Sequence, residues 1–588
     1  MISYNCSAWI NSKNYKIKAN SIQGKLMQEF AFLCKDEIVL SDKIAVLNKK
    51  TNDKFLVANS KELDALIYAP EINFYLKNTL ENTLTKAKNS LKLYEIRASE
   101  FDYALDVDFS KEIGKNILLV SNESENIEKS LKELGFNVIK ITHAEVELIY
   151  GQIGDLCGIL KVNNNTKETS DFGDDSVCCD FDILLVRGAK DFMLRQSGCF
   201  EIDGLNENEI LNLVGSVSPK FDYKKVINYD DSICQYHRRR SEHCAKCVDI
   251  CPSVAIMKDD EKRELVFSDI DCVSCGLCAS VCPSGSIEWR MNPRQGFEFI
   301  SKFYEDHIAL ILDESINLDD LSIKLKDKVL PLMLKTVNFL DQSYLLNLVQ
   351  TTGATVILLT KNLGDGTKDS VDLINEIYEK AYGKKAILLA DESDIEAVLE
   401  LAEFIEGSKF DLLQTNLNKR EIFAKRVKHL VGENDFGQTA PKEWVRYGKI
   451  AINEDSCTLC LSCVGACNVG ALYADKSDNS IKFNASVCTT CGYCETSCAE
   501  KDTLKVYRDG MELKNSYFEY KTLAKDELFK CVECGKEFAT AKSVQKIANT
   551  LKPLFAGNPV KLRTLYCCAE CKAKLMLKEQ IEKGEFDE

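Results

Sequence analysis

The sequence predicts a multidomain α/β protein that also carries two small cysteine-rich modules and a cysteine-rich C-terminal element. Three observations support this organisation. Strand-like and helix-like segments alternate along much of the chain, one arrangement of cysteines occurs twice, and two C-x2-C pairs lie near the C-terminal end. At 588 residues the chain has room for roughly three to five domains, because a single hydrophobic core rarely grows beyond about 250 to 300 residues.

Composition and charge narrow the class of protein. Most of the 27 cysteines are clustered at metal-ligand spacings in a long chain, which favours metal-bound thiolates in a reducing cytoplasm over a secreted disulfide scaffold. The net charge of -16 opposes binding to nucleic acid or to anionic membranes. The first residues lack the features of a signal peptide, and no segment approaches the about 20 apolar residues of a membrane span. We therefore expect a cytoplasmic protein without direct membrane insertion, whose partners are proteins.

The strongest signal is a cysteine module that occurs twice. Each cysteine of the first copy has a counterpart 216 residues later. The spacing C-x2-C-x2-C-x3-C is that of bacterial ferredoxins with two 4Fe-4S clusters, in which the fourth cysteine of each run ligates the cluster of the other run. The sequence thus predicts two bacterial-type dicluster ferredoxin (α+β) modules, module 1 at 228–298 and module 2 at 446–512, with four 4Fe-4S clusters in all. The predicted ligands common to both copies are Cys244, Cys247, Cys251, Cys272, Cys275, Cys278 and Cys282, and Cys460, Cys463, Cys467, Cys488, Cys491, Cys494 and Cys498.

The repeat fails at one position. Cys457 opens the first run of module 2, but its counterpart in module 1 is Ser241. Cys234 lies seven residues earlier and can supply the missing thiolate if the intervening segment loops out. A three-cysteine cluster with an open or Ser241-ligated iron, or a ligand from His237 or His243, remains an alternative. Iron–sulfur clusters favour thiolate over hydroxyl or imidazole, so we expect Cys234 to be the ligand.

The C-terminal region, 525–588, contains two C-x2-C pairs. Cys531, Cys534, Cys568 and Cys571 predict a zinc-ribbon-like element with one structural zinc, because four thiolates from two tight turns suit a tetrahedral ion. Rubredoxin-like iron is the alternative. The 33 residues between the pairs exceed the usual spacing, and Cys567 competes with Cys568 as the third ligand.

Six further cysteines show no metal-ligand spacing. We expect them to be small buried hydrophobic residues, with a redox-active Cys178–Cys179 pair as the alternative. They are Cys6, Cys34, Cys157, Cys178, Cys179 and Cys199.

Apolar runs outside the cysteine modules predict two α/β regions. Strands from Asn116, Asn137 and Asp182 indicate a small α/β domain at 111–227, and residues 1–110 receive no assigned role. Alternating strands and helices predict a parallel sheet at 299–410, a region that lacks cysteine and a phosphate-binding loop. Its expected strands are 308–312, 329–334, 355–359 and 386–389, and residues 411–445 are expected to form a helical bridge to module 2.

The cysteine pattern resembles a known family. The spacing Cys234-x9-Cys244-x2-Cys247-x3-Cys251, a second module and the terminal pairs resemble large multi-cluster ferredoxin-like proteins of proteobacteria over roughly 111–580. Genes of that family tend to lie beside formate dehydrogenases, and its long first gap also begins with a cysteine and a nearby histidine, matching Cys234 and His237. The resemblance implies a cytoplasmic electron carrier or adaptor tied to formate metabolism.

The cysteine-free region resembles a different family. The segments beginning at Pro331 and Gly353 are similar to the delta-type subunit of methyl-viologen-reducing hydrogenases. That family uses cysteines in this region for a 2Fe-2S cluster, and this sequence has none there. The resemblance therefore implies a protein-docking role for the region.

These observations predict an electron-transfer protein that passes electrons between redox partners and has no substrate site of its own. The chain has only five histidines, and no nucleophile–base arrangement is recognisable in the sequence. Two alternatives stay open: an iron–sulfur enzyme with an open iron near Ser241, and a maturation factor for a metalloenzyme that uses the C-terminal cysteine pairs to bind its client.

Overall fold

The computed structural model describes residues 28–122, 126–161, 176–413 and 416–582. Cys6 lies outside the described residues. Six units follow one another along the described chain: an N-terminal sheet, a second α/β unit, module 1, the cysteine-free α/β domain, module 2 and the C-terminal element.

The N-terminal unit is a parallel four-stranded sheet with two helices, in the strand order β2-β1-β3-β4. Asn82 caps the second helix by accepting a hydrogen bond from the Thr85 N–H at 3.0 Å. The Tyr94 hydroxyl of this helix donates to the Ala31 carbonyl at 2.6 Å, which fixes the helix against the sheet. The elements are β1 (Gln28–Leu33), β2 (Ile44–Leu47), β3 (Lys54–Ala58), β4 (Asp64–Tyr68), α1 (Pro70–Asn78) and α2 (Thr83–Tyr103).

The second α/β unit is built on a parallel sheet in the order β12-β11-β6-β7. The three predicted strands of this region are confirmed as β6, β7 and β11. Strands β8, β9 and β10 form a separate antiparallel sheet, and β5 pairs with β13. The elements are β5 (Val107–Glu112), β6 (Asn116–Val120), α3 (Ile127–Glu133), β7 (Asn137–Ile141), β8 (Val146–Gln152), β9 (Asp155–Lys161), β10 (Ser176–Phe181), β11 (Ile183–Val186), β12 (Cys199–Glu201), α4 (Glu207–Val217) and β13 (Lys220–Lys225).

Module 1 consists of two antiparallel strand pairs and two short helices. Strand β14 pairs with β17, and β15 pairs with β16. The short helices lie within the two cysteine runs and pack against each other. The elements are β14 (Ile227–Tyr229), α5 (Lys246–Asp249), β15 (Ile256–Asp259), β16 (Glu264–Phe267), α6 (Leu277–Val281) and β17 (Ile287–Trp289).

The cysteine-free domain has the predicted parallel sheet, in the order β19-β18-β20-β21. The four predicted strands are confirmed to within one or two residues at each end. Pro331 is tolerated within β19 because this strand is at the edge of the sheet, where one side of the backbone needs no ladder partner. The elements are α7 (Arg294–Ser301), β18 (Ile308–Asp313), β19 (Val329–Leu334), α8 (Gln342–Thr352), β20 (Val356–Leu359), α9 (Asp365–Tyr382), β21 (Ile387–Ala390) and α10 (Ile395–Leu401).

The segment expected to bridge the domains contains one helix, α11 (Lys419–Val431), and one strand, β22 (Asp435–Gln438). Helix α11 packs against α8, and Phe423, Val427 and Val431 are buried in the same core as the parallel sheet. The helix also packs against residues 512–518, so it contacts both the cysteine-free domain and the end of module 2. This core also takes in residues of the N-terminal unit and of module 1.

Module 2 repeats the plan of module 1. Strand β23 pairs with β26, β24 pairs with β25, and two short helices lie within the cysteine runs. In addition β28 extends the second pair, and β27 pairs with β22. The elements are β23 (Lys449–Ile452), α12 (Ser462–Ala466), β24 (Leu472–Asp475), β25 (Ser480–Phe483), α13 (Tyr493–Thr496), β26 (Leu504–Tyr507), β27 (Glu512–Lys514) and β28 (Lys521–Lys525).

The C-terminal element is a β-hairpin followed by three helices. Its hairpin is antiparallel, and its first helix lies against module 2 through the Thr540 hydroxyl, which donates to the Thr458 carbonyl at 2.9 Å. The elements are β29 (Leu528–Lys530), β30 (Glu537–Thr540), α14 (Ala541–Leu551), α15 (Pro559–Thr564) and α16 (Ala569–Glu582). Among the described residues, no helix has the length and apolar character needed to cross a bilayer.

Candidate metal centres

Module 1 contains a cavity lined by four cysteines. Three of them, Cys272, Cys275 and Cys278, belong to the second run, and the fourth, Cys251, is the last cysteine of the first run. This crossed membership is the arrangement expected of a dicluster ferredoxin. The remaining lining is largely apolar and includes Trp289, which is fully buried.

Module 2 contains two such cavities, each lined by three cysteines of one run and the last cysteine of the other. The two cavities are lined by different cysteines, and together they include all eight predicted ligands of the module. One is lined by Cys457, Cys460, Cys463 and Cys498, and the other by Cys467, Cys488, Cys491 and Cys494.

The fourth group of cysteines lies in module 1 and includes Cys234. Burial raises the pKa of Cys244 to about 12, and the nearby thiols of Cys282 and Cys234 add to the rise. Burial also raises the pKa of Cys247, reinforced by Cys244, Cys282 and Cys234 and by Cys278 of the neighbouring group. These four thiols therefore lie close enough to interact electrostatically. Cys234 is only 6% exposed and lies in the same hydrophobic core as Cys247 and Cys282.

A backbone hydrogen bond to its sulfur gives Cys234 a local geometry shared with other predicted ligands, second cysteines such as Cys244 and Cys275 included. The N–H of Tyr236, two residues later, donates to the Cys234 sulfur at 3.4 Å. The same bond, from the N–H two residues later, is made to the first cysteine of each of the other runs: Cys272, Cys457 and Cys488, with a distance of 3.3 Å at Cys488. Such bonds stabilise thiolate, the form that binds metal.

The alternative ligands near the gap in the repeat are engaged elsewhere. Ser241 is exposed, and its hydroxyl lies 3.0 Å from Nε2 of His243. His237 Nε2 lies 3.4 Å from a carboxylate oxygen of Asp231. These contacts favour Cys234 over Ser241, His237 and His243 as the fourth ligand.

The ferredoxin cysteines are spaced for clusters instead of single ions. Of the described residues, only the C-terminal cysteines and the group Cys157, Cys178 and Asp180 bring three or more metal-binding atoms within 4.8 Å of one another. The thiols of three ferredoxin groups surround cavities and are farther apart, as an inorganic core between them requires. Gly276 lines the module 1 cavity and packs closely against Phe339. A Cβ at this position would lie only 2.9 Å from the Phe339 nitrogen, so glycine is needed there.

Buried charges attach module 1 to the cysteine-free domain. Lys419 Nζ donates to the carbonyls of Cys282, at 2.8 Å, and Ser280, at 2.9 Å, and lies 3.3 Å from Asp341. Arg294 binds the same carboxylate at 2.9 Å. Burial alone would raise the pKa of Asp341, but Arg294 and Lys419 outweigh it and hold the pKa well below its usual range. The carboxylate therefore stays ionised and anchors both cations.

The C-terminal cysteines form a compact group. The sulfurs of Cys531, Cys534, Cys568 and Cys571 all lie within 4.8 Å of one another, and those of Cys534 and Cys568 are 3.7 Å apart. Four sulfurs at a Zn–S distance of about 2.3 Å around a tetrahedral ion are about 3.8 Å apart. Burial opposes ionisation of Cys531, but the N–H groups of Cys568, Cys534 and Glu533 lower its pKa. The donor set therefore fits one tetrahedral ion.

The structure distinguishes the two adjacent cysteines of this region. Cys568 is in the compact group, and its N–H donates to the Cys531 sulfur at 3.3 Å. The thiol of Cys567 instead donates to the Arg563 carbonyl at 3.3 Å within the preceding turn. The geometry favours Cys568 as the third ligand.

The burial of the remaining cysteines varies more than the sequence predicted. Cys157 and Cys199 are buried, as expected. The expectation of burial is wrong for Cys178, which lies on the exposed strand β10 and is joined to Cys157 by a disulfide. No pattern in the sequence pairs these two residues, since β9 and β10 bring them together across an antiparallel sheet.

Comparison with known proteins agrees with the two ferredoxin modules. Residues 242–286 and residues 449–499 each match a family described as a 4Fe-4S dicluster domain. The chain thus carries two iron–sulfur domains of the ferredoxin type, a class that serves electron transfer. It is also 32% identical over 63 residues to an uncharacterized ferredoxin of Methanocaldococcus jannaschii, a match that covers 11% of this chain and 92% of that protein. The chain therefore belongs to the ferredoxin family through this part of its length. Cys234 lies outside both matched ranges.

Proposed function

We propose that the protein is an electron-transfer carrier or subunit with four 4Fe-4S clusters and one structural zinc. The observation that carries the proposal is the grouping of the sixteen predicted cluster cysteines into four sets of four, three of which line cavities with crossed membership. When bound, each cluster accepts and releases one electron. The neighbouring N–H groups and apolar walls hold the thiolates in place and restrict access of water, which tunes the potential.

The zinc proposal rests on the compact C-terminal group. Its sulfur spacing suits a tetrahedral ion, and all four positions are filled by cysteine, as in structural zinc sites. The ion would hold the hairpin β29–β30 to the start of α16 and so support α14. This helix lies against module 2, where the Ser543 hydroxyl also donates to the Thr458 carbonyl at 2.8 Å.

We further propose that one redox partner is a formate dehydrogenase in the cytoplasm and that the cysteine-free domain serves in protein docking. The support is the resemblance of the cysteine pattern to proteins encoded beside formate dehydrogenases and the resemblance of the domain to a hydrogenase subunit that carries cysteines there. A pull-down with formate dehydrogenase tests the partnership. A variant without residues 525–588 tests the alternative that the C-terminal element binds a client for maturation, because only that alternative requires the element for capture.

The alternative of an enzyme with an open iron has less support. It needs an iron without a cysteine ligand near Ser241, yet Cys234 lies buried beside the other three thiols of the group. Adding cyanide to the reduced protein tests the point, because an open iron binds cyanide and shifts its electron paramagnetic resonance signal. We expect no shift.

The proposal as a whole is tested by redox titration of anaerobically purified protein. Reversible one-electron signals from both modules are the expected result. Protein that binds iron but cannot be reduced and reoxidised would contradict a role in electron transfer.

A further inference from the structure

The two modules contact each other directly through loops that carry cysteines. Arg239 of module 1 donates from Nη1 to the carbonyl of Ala466 at 2.6 Å, and its guanidinium lies 4.5 Å from the ring centroid of Tyr493. Ala466 immediately precedes Cys467, and Tyr493 immediately precedes Cys494. The buried Arg239 side chain of module 1 therefore contacts both cysteine runs of module 2.

A pair of side-chain amides completes this contact. Gln235 Nε2 donates to Asn468 Oδ1 at 2.8 Å. Asn468 Nδ2 in turn donates to the carbonyls of Cys234, at 3.0 Å, and Ser232, at 2.9 Å. Gln235 is only 3% exposed, so water competes little for these bonds.

The amide pair joins two of the four cysteine groups. Gln235 directly follows Cys234, which belongs to the fourth group of module 1. It also lines the cavity of module 2 that is formed with Cys467. Asn468 directly follows Cys467. A residue of module 1 thus forms part of the wall of a cysteine site in module 2.

Both residues of the pair occur where the chain departs from its own repeat. The run-opening cysteine of module 1 is displaced from position 241 to Cys234, and this displacement brings Gln235 to the contact. Asn468 corresponds to Pro252 in module 1, and a proline has no side-chain donor or acceptor for such a bond. The two residues at which the modules differ from the repeat, Gln235 and Asn468, therefore contact each other.

We propose that Gln235 and Asn468 are positioning residues that hold the Cys234 group against the Cys467 group, so that the two modules act as one four-cluster unit. This inference rests on the proposed function. The path from the Cys234 backbone through its carbonyl and the Asn468 amide to Cys467 contains one hydrogen bond. With clusters bound, one electron would pass from the cluster of the Cys234 group to that of the Cys467 group, and no proton would move, because neither amide titrates.

The test compares the double variant Gln235→Ala/Asn468→Ala with the wild type, both purified anaerobically with their clusters. The control is Asn453→Ala. The side chain of Asn453 accepts a hydrogen bond from the Asp455 N–H, so this bond lies within module 2 and does not join the modules. The measurement is the microwave power that half-saturates the paramagnetic resonance signals of the reduced protein. A nearby paramagnetic centre speeds relaxation, and this effect falls steeply with distance.

We expect the double variant to saturate at several-fold lower power than the wild type and the control, with its iron and sulfide content unchanged. Equal saturation in fully loaded double variant and wild type would overturn the inference. If the double variant loses iron, the measurement is repeated on the single variant Asn468→Asp. Aspartate keeps the acceptor for Gln235 and removes both N–H donors. Loss of iron from this variant too would also overturn the inference, since the residues would then maintain a cluster site. Failure of the proposed function differs from these results, because the wild type itself would lack iron or a reducible signal.

Discussion

Replacing Cys234 tests the one predicted cluster ligand that lies outside the repeated cysteine pattern. In the variant Cys234→Ala the group retains Cys244, Cys247 and Cys282 as its thiols. We expect the wild type to bind about sixteen iron atoms, four in each of four clusters. The variant should bind about twelve if the cluster is lost and about fifteen if a three-iron cluster remains. The other three groups contain no contribution from Cys234 and should be unaffected.

The assay is iron and acid-labile sulfide analysis of anaerobically purified protein, with paramagnetic resonance to distinguish a lost cluster from a three-iron cluster. The matched control is Ser241→Ala, which removes the residue at the repeat position. Its hydroxyl is exposed and bonded to His243, so we expect the wild-type iron content. A full iron content in Cys234→Ala combined with a loss in Ser241→Ala would refute the reasoning.

Three further substitutions test the buried ion pairs, the C-terminal metal site and the wall of the module 1 cavity. Asp341→Asn should destabilise helix α8 by about 3 to 5 kcal/mol, because it leaves buried cations without their partner, and loss of amide protection in hydrogen exchange measures this. The contribution of Asp341 should be full above about pH 4, the unfolded pKa of an aspartate, and should be lost as pH falls through its lower folded pKa. Cys571→Ser should remove about one zinc per chain in metal analysis and leave the iron content unchanged. Gly276→Ala should lower the iron content, since its φ is +78° and its Cβ would crowd the backbone of Phe339, whereas Gly465→Ala, with no heavy atom within 4 Å, should not.

The features that follow a local pattern were predictable from the sequence. Cysteine spacing predicted which thiols share a cavity, because the loops between ligands are too short to permit many arrangements. The buried strands of the cysteine-free domain were equally clear, since residues such as those of 308–312 form continuous apolar runs, typical of a parallel sheet covered on both faces.

Features that depend on distant parts of the chain were not predictable. The N-terminal sheet went unassigned because its strands are four to six residues long and interrupted by polar stretches. The sequence favoured Cys234 over Ser241 only through the preference of iron–sulfur clusters for thiolate, and it did not indicate that Cys234 is buried near thiols that follow it in the chain. The choice of Cys568 over Cys567 depends on the direction of a single turn. The contact between Gln235 and Asn468 joins residues 233 positions apart, which no local pattern could indicate.

The most direct test of the account is quantitative iron, sulfide and zinc analysis of protein purified without oxygen, combined with redox titration followed by paramagnetic resonance. We expect about sixteen iron, about sixteen sulfide and one zinc per chain, with signals from both modules. Colourless protein without acid-labile sulfide would contradict it.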